Sequence, residues 1–314
     1  MVPVPQIVVG VDGSPSSRSA LEWAARRAQR QERPLLLVHA VPDYLVSPGR
    51  IEYHNVRDAL QGLLDSEVSR AREFAPSLDV QASLHFGEPA QVLAELSADA
   101  AMVVVGTDRT ADEHGEGFGA VNLQLATLGR SPVAVIPARQ SPVNAGVVVG
   151  IDGSPQSMAA ADFAAVEATS IEQDLTIIYV SSEVPLWLHS SSLGPEIAQQ
   201  DDAQGRMILE SAVAAVRARH IRLTVCERFE HDDVPARTLI RAGKGAAMLV
   251  VGNRGRGVTQ HALMGSATQE MLLHVPCPIV LTPQKYADAA AEQHSDNNAV
   301  QQRLAPGQMP QGGF

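Results

Sequence analysis

Two short patterns in this chain have the spacing that binding chemistry needs. The segment VVGNRGRGVTQHALMGSATQ, residues 250–269, sets Gly252, Gly255 and Gly265 in a G-x2-G-x9-G pattern, with Ser266 directly after the last glycine. Glycine lets backbone N–H groups turn toward an anion and approach it closely. Gly265-Ser266 is predicted to open a helix, whose first N–H groups and dipole favour negative charge. Ser266 adds a hydroxyl donor, and Arg254 and Arg256 add positive charge. Together these residue types form a cradle for a polyphosphate. The other pattern, G-(V/I)-D-G-S-P, runs from Gly10 to Pro15 and again from Gly150 to Pro155. It puts Asp12 and Asp152 just past an apolar run.

The second occurrence is no accident of composition. Gly150 stands 140 positions after Gly10, while DAAMVVVGTDR from Asp99 matches GAAMLVVGNRG from Gly245 at an offset of 146. SPVAVIP from Ser131 matches CPIVLTP from Cys277 at the same offset. Two copies with one indel explain all three matches. The first copy is assigned to residues 1–140 and the second to 141–283, with ARQSPVN (138–144) as the junction. Residues 284–314, rich in Ala, Gln, Asn, Pro and Gly, read as a disordered tail.

What must position these motifs is legible in the alternation of element types. IVVGV (7–11), LLLVHAV, DVQASLHF, AMVVVG and PVAVIP read as strands, and the stretches between them carry helical periodicity. Ser14 and Pro15 suit the N-cap and first helical positions. Strands alternating with helices predict an α/β fold: two tandem, doubly wound, five-stranded parallel-sheet domains of flavodoxin-like order 3-2-1-4-5. In such a sheet, ligands lie beyond the carboxyl ends of the strands where the order reverses. Strands one and four are neighbours there, which brings the Asp-Gly-Ser-Pro turns beside the glycines after strand four.

Composition narrows the function classes. Of 314 residues, 45% are hydrophobic and 19% charged, a balance that supports two globular cores. A formal net charge of −11 opposes non-specific binding to nucleic acid. The only cysteines, Cys226 and Cys277, form no C-x-x-C, so neither a disulfide framework nor a thiolate zinc site is expected. No apolar run reaches 18 residues and no leader pattern opens the chain, so a cytoplasmic protein with no membrane span is expected.

The motifs together resemble the universal stress protein family in its tandem form. The features that match are G-(V/I)-D-G-S-P after strand one, G-x2-G-x9-G-(S/T) after strand four, and the closing strand CPIVLTP. The likeness extends over residues 5–283. It implies an adenine-nucleotide-binding fold related to adenine nucleotide α-hydrolases, which binds ATP with Mg2+, is usually dimeric and acts in stress responses. Carried over by motif, Gly150 and Asp152 fall at the ribose or metal–phosphate region, and Val180 falls at the backbone contact to adenine. Gly252, Asn253, Arg254, Gly255, Arg256, Gly257 and Val258, with Gly265, Ser266 and Ala267, fall at the phosphates. No protein ligand to the magnesium is implied beyond those phosphates. In this family the fifth strand is an edge that pairs with its counterpart, so the resemblance implies that 132–136 pairs with 278–282 inside one chain. A homodimer of whole chains is a further possibility.

The first copy departs from the pattern. Gly10, Asp12, Gly106 and Gly119 are kept, and Ala40 holds the adenine-contact position. Arg109 replaces the second glycine, Ala120 replaces the serine, and the loop carries Asp108, Asp112, Glu113 and Glu116. Those carboxylates either repel a triphosphate or simply face water; both readings stand.

Other candidates are weighed against bland roles. His39 and its counterpart Tyr179 read as packed side chains. Trp187 covers a base or makes a helix or dimer contact. His231, Asp232 and Asp233 read as a solvated turn with only the histidine repeated in the first copy, and Cys277 reads as a small buried residue. No catalytic base is recognised, nor an S-G-G-x-D-S loop or an H-x-G-H motif. An ATP-binding regulatory module that is not an enzyme is therefore expected. A scaffold with vestigial nucleotide binding is the alternative, with a slow ATPase or adenylate-forming enzyme behind it.

Overall fold

A computed structural model describes residues 4–43, 53–109, 120–139, 145–182, 194–253, 255 and 264–283. Elements alternate along the chain. The first copy holds β1 (Ile7–Gly10), α1 (Pro15–Arg30), β2 (Leu35–Val41), α2 (Tyr53–Phe74), β3 (Val80–Phe86), α3 (Pro89–Leu96), β4 (Met102–Thr107), α4 (Ala120–Leu128) and β5 (Val133–Pro137). The second holds β6 (Ala145–Ile151), α5 (Pro155–Ser170), β7 (Leu175–Ser181), α6 (Gly194–Arg219), β8 (Val225–His231), α7 (Pro235–Gly243), β9 (Ala246–Gly252), α8 (Ser266–Leu273) and β10 (Ile279–Thr282).

The strands form one sheet, not two: β3-β2-β1-β4-β5-β10-β9-β6-β7-β8. Neighbours within each half run parallel, and β5 and β10 join the halves antiparallel. The two five-stranded halves are thus continuous, because the two fifth strands are short apolar edges that bond to each other and leave no bare edge at the centre.

Both faces of the sheet are covered, which is why most strands are unbroken apolar runs. Val9, Leu37, Val104 and Ala134 belong to one buried layer with their counterparts Val149, Ile177, Val250 and Val280, under α1 and α5. Val8, Val103, Val135 and Leu281 belong to the layer on the other face. Each layer runs across both copies. The first helix of each copy begins alike: Ser14 Oγ accepts from Ser17 N at 3.1 Å and Ser154 Oγ from Ser157 N at 3.2 Å, with Pro15 and Pro155 next.

Candidate functional site

The order of strands sets β6 between β7 and β9, so the loops after β6, β7 and β9 rise together. Between them lies a cavity of about 780 Å3. That size suits a small organic ligand, for which pockets run roughly 300–1,000 Å3.

The loop after β6 builds one wall. Gly153 has φ +83°, a conformation that favours glycine, so the chain turns sharply after Asp152. Asp152 is half-buried, and its Oδ1 accepts from Ser154 N at 2.9 Å and from Ser154 Oγ at 2.6 Å. With Oδ1 so held, Oδ2 faces the loop after β9: a β-carbon at Gly255 would stand 2.5 Å from it. Only glycine lets that loop come so close to the carboxylate.

The wall opposite is the start of α8. Gly265 is its N-cap and supplies no side-chain cap, and Gly265 N donates to Asn253 O at 3.1 Å, which ties the helix start to the end of β9. Ser266 and Ala267 line the cavity, so the first N–H groups of α8 stand at it. Thr268 Oγ1 donates to Gly252 O at 3.1 Å and ties the helix to the strand end.

The third wall comes from β7 and α6. Val180 and Tyr179 line the cavity. The Tyr179 ring stacks on Phe229 with centroids 5.5 Å apart and planes 10° from parallel, and Arg206 lies 4.3 Å over Phe229. Gly205, within α6, makes room for this: a β-carbon there would stand 2.5 Å from the Tyr179 ring. A glycine inside a helix costs about 1 kcal/mol relative to alanine, so its place here is explained by the ring.

The residues expected at a site therefore divide. Gly150, Asp152, Val180, Gly252, Gly255, Gly265, Ser266 and Ala267 all line the cavity. Asn253 is buried at the seam between copies, where its Nδ2 reaches Ala126 O at 3.5 Å and its Oδ1 has no partner among the described residues. Arg254, Arg256, Gly257 and Val258 lie outside the described residues, as do Gly119, Trp187, Asp112, Glu113, Glu116 and 284–314. Asp201, Asp233 and Glu270 also line the cavity, as does Tyr179, and none of these four was expected as a ligand contact from sequence.

The turn at 231–233 is built rather than merely solvated. Asp232 accepts from Val234 N at 3.0 Å and from Thr238 Oγ1 at 2.8 Å, bonds that hold its carboxyl below the usual range and anchor the start of α7. His231 Nε2 bonds Asp202 at 2.9 Å, and Asp202 also accepts from Ser181 Oγ at 2.7 Å. The His231 bond leads in holding the Asp202 carboxyl low. By strand register His231 stands opposite Ser181, as Phe86 stands opposite Val41, so the histidine at 85 is not its structural counterpart. Burial pushes the Cys277 thiol up to about 12, which keeps it a protonated packing group. Among the described residues no three His, Cys, Asp or Glu side chains are grouped to hold a metal, and no helix is long and apolar enough to cross a membrane.

The first copy repeats the first loop. Asp12 Oδ1 accepts from Ser14 N at 2.9 Å, and Gly13 has φ +78°. Partial burial alone would raise the Asp12 carboxyl, but the bonds from Ser14 and Ser17 outweigh it and hold the group below its ordinary value. The other kept glycines have packing duties. A β-carbon at Gly106 would stand 2.3 Å from the Ser16 carbonyl carbon, so the start of α1 rests on β4 there. One at Gly10 would stand 3.2 Å from Leu93. Ala40 is half-buried and pairs with His85, and His39 Nδ1 bonds Val11 O at 2.6 Å where the second copy has Tyr179.

Comparison with known proteins agrees with this duplication. The model of the universal stress protein family matches twice, over residues 4–137 and 146–283. A universal stress protein of Mycobacterium tuberculosis is 32% identical over 305 residues, covering 88% of this chain and 94% of the relative. Another from the same organism is 30% identical over 295 residues, covering 88% and 95%. Among solved structures, a universal stress protein from Archaeoglobus fulgidus covers 89% of this chain and 98% of its own at a TM-score of 0.66 and 16% identity, a likeness of fold.

Proposed function

The chain belongs to the universal stress protein family, and on that footing we propose that its second copy binds an adenine nucleotide, ATP with Mg2+, in the cavity between β6, β7 and β9. The observation that carries this reading is convergence: Asp152, Gly255 and the Gly265–Ala267 helix start come from three separate segments and line one cavity of about 780 Å3. The fit is physical. Gly255 leaves the backbone no β-carbon to collide with Asp152, and α8 offers uncapped N–H groups to phosphate oxygens. Val180 and Tyr179 would face the base. Asp152, Gly255, Gly265, Ser266 and Ala267 would hold the ribose and phosphates. The cavity is also lined by Asp152, Asp201, Asp233 and Glu270, so a bare triphosphate would meet four carboxylates. Magnesium carried on the phosphates lowers that repulsion.

Occupancy, not turnover, is the output of this proposal, a reading supported by a sequence that carries neither an S-G-G-x-D-S loop nor an H-x-G-H motif. The finer assignments belong to the same proposal: two domains divided near 140, a regulatory role in stress responses, a cytoplasmic place, and a possible dimer of whole chains. The test is titration of the full chain with Mg2+ and ATP by calorimetry, with hydrolysis followed in the same sample. Gly265→Val should weaken binding at least roughly tenfold, a loss of about 1.4 kcal/mol. Unchanged affinity in that variant, or turnover in the ordinary enzyme range of roughly 1–10³ per second, contradicts the reading.

A further inference from the structure

The seam between the copies has a symmetry that its charges do not share. In β5 and β10 the register pairs Val133 with Leu281, Ala134 with Val280 and Val135 with Ile279. Val280 stands 146 positions after Ala134, the offset that relates the two copies in this region. Equivalent residues therefore face each other at Ala134–Val280, and a pseudo-two-fold axis passes between them. Above that point, on the face to which Ala134 and Val280 contribute, lie α1 and α5. There the relevant offset is 140, so Arg27 corresponds to Glu167 and Trp23 to Phe163.

These equivalent residues meet. Arg27 and Glu167 form a two-pronged ion pair: Arg27 Nη1 bonds Oε2, and Nη2 bonds Oε1 at 2.6 Å. Both are buried, at 4% and 1% exposure. The guanidinium lies 5.5 Å from the Trp23 ring and 5.5 Å from the Phe163 ring, and Gln31 Nε2 donates to Glu167 Oε1 at 3.3 Å. The pair is thus enclosed by aromatic groups from both copies.

We infer that the Arg27–Glu167 pair is a sorting device, which fits a first copy to a second copy and rejects either copy against itself. The reason is the axis. If two first copies met through this face, Arg27 would meet Arg27 in a closed aromatic pocket; two second copies would bring Glu167 to Glu167. Like charges brought together out of water cost several kcal/mol, whereas a matched two-pronged pair recovers much of its desolvation. Hydrophobic burial alone would not discriminate, because the β5 and β10 edges are both short apolar strands, and either could pair with its own kind. The partner this face selects is a copy of the same fold with the opposite charge at this position. The inference does not depend on nucleotide binding.

The full chain tests it directly, since a charge reversal recreates each forbidden seam within one molecule. Glu167→Arg sets arginine against arginine, as two first copies would. Arg27→Glu sets glutamate against glutamate, as two second copies would. Each should lower the folding equilibrium constant by at least roughly 100-fold in urea titrations, or prevent folding. The double reversal Arg27→Glu with Glu167→Arg restores opposite charges and should fold, within about tenfold of the unmodified chain. If either single reversal unfolds at the unmodified midpoint, or if the double reversal is no better than the singles, the inference is overturned.

Discussion

The two copies build the same first loop and part company at the second. After β1 and after β6 the chain makes the same turn: an aspartate accepts from the serine two residues on, a glycine sits at positive φ, and a serine caps the next helix. After β9, Gly255 lets the backbone close on Asp152. Its counterpart after β4 is Arg109, whose N donates to Thr107 Oγ1 at 3.2 Å. Asp152 is half-buried against that loop, whereas Asp12 lies more open to solvent. A motif can therefore persist for two reasons. The Asp-Gly-Ser-Pro turn starts a helix in both copies and needs no ligand to explain it. The glycine facing Asp152 caps no helix, and under the proposed function its presence in one copy and loss in the other separates a binding loop from a folding loop.

The largest expected effect tests the folding side of this contrast. Gly106→Ala forces a β-carbon into the Ser16 backbone, which cannot swing aside as a side chain tip can. Overpacking of this kind costs about 3 kcal/mol or more, and urea denaturation should read it as a lowered midpoint. Mg–ATP affinity of the folded fraction should be unchanged. A loss of binding with intact stability would return Gly106 to the list of ligand residues.

Next in size is the paired change at the two aspartates. Asp152→Ala should weaken Mg–ATP binding by about 1–3 kcal/mol, roughly 5- to 150-fold. Asp12→Ala should leave that affinity as it was. Equal losses from both, read by calorimetry, would break the comparison.

The smallest effect is in acid. Hydrogen bonds hold the folded Asp12 carboxyl below its ordinary value despite partial burial. A depressed carboxyl contributes stability above its unfolded pKa, and that contribution is lost as pH falls through the folded one. The window is therefore below about pH 4. Asp12→Asn should flatten the fall of the urea midpoint between about pH 4 and pH 2 relative to the unmodified chain, and should change little near neutrality.

How much of this was legible beforehand follows from what each residue packs against. The α/β alternation is plain in sequence because parallel strands buried on both faces, such as Met102–Thr107 and Ala246–Gly252, must be continuous apolar runs. Cap residues Ser14 and Ser154 mark helix starts for local reasons. The buried Arg27–Glu167 pair was not legible: charged residues on helices read as water-facing, and only the meeting of α1 with α5 across the seam buries them. Asn253 sits among phosphate-loop residues in sequence, yet it points to Ala126 of the other copy. Asp201, Gln204 and Tyr179 reach the cavity through the placement of α6 on β7, a tertiary relation with no local signature.

The central claim is that one copy binds nucleotide and the other has kept only the fold. Calorimetric stoichiometry of Mg–ATP on the full chain tests it most directly. One site per chain, abolished by Gly265→Val and untouched by Asp12→Ala, is the result this account predicts. Two equivalent sites per chain, or a single site that survives Gly265→Val and is lost in Asp12→Ala, would contradict it.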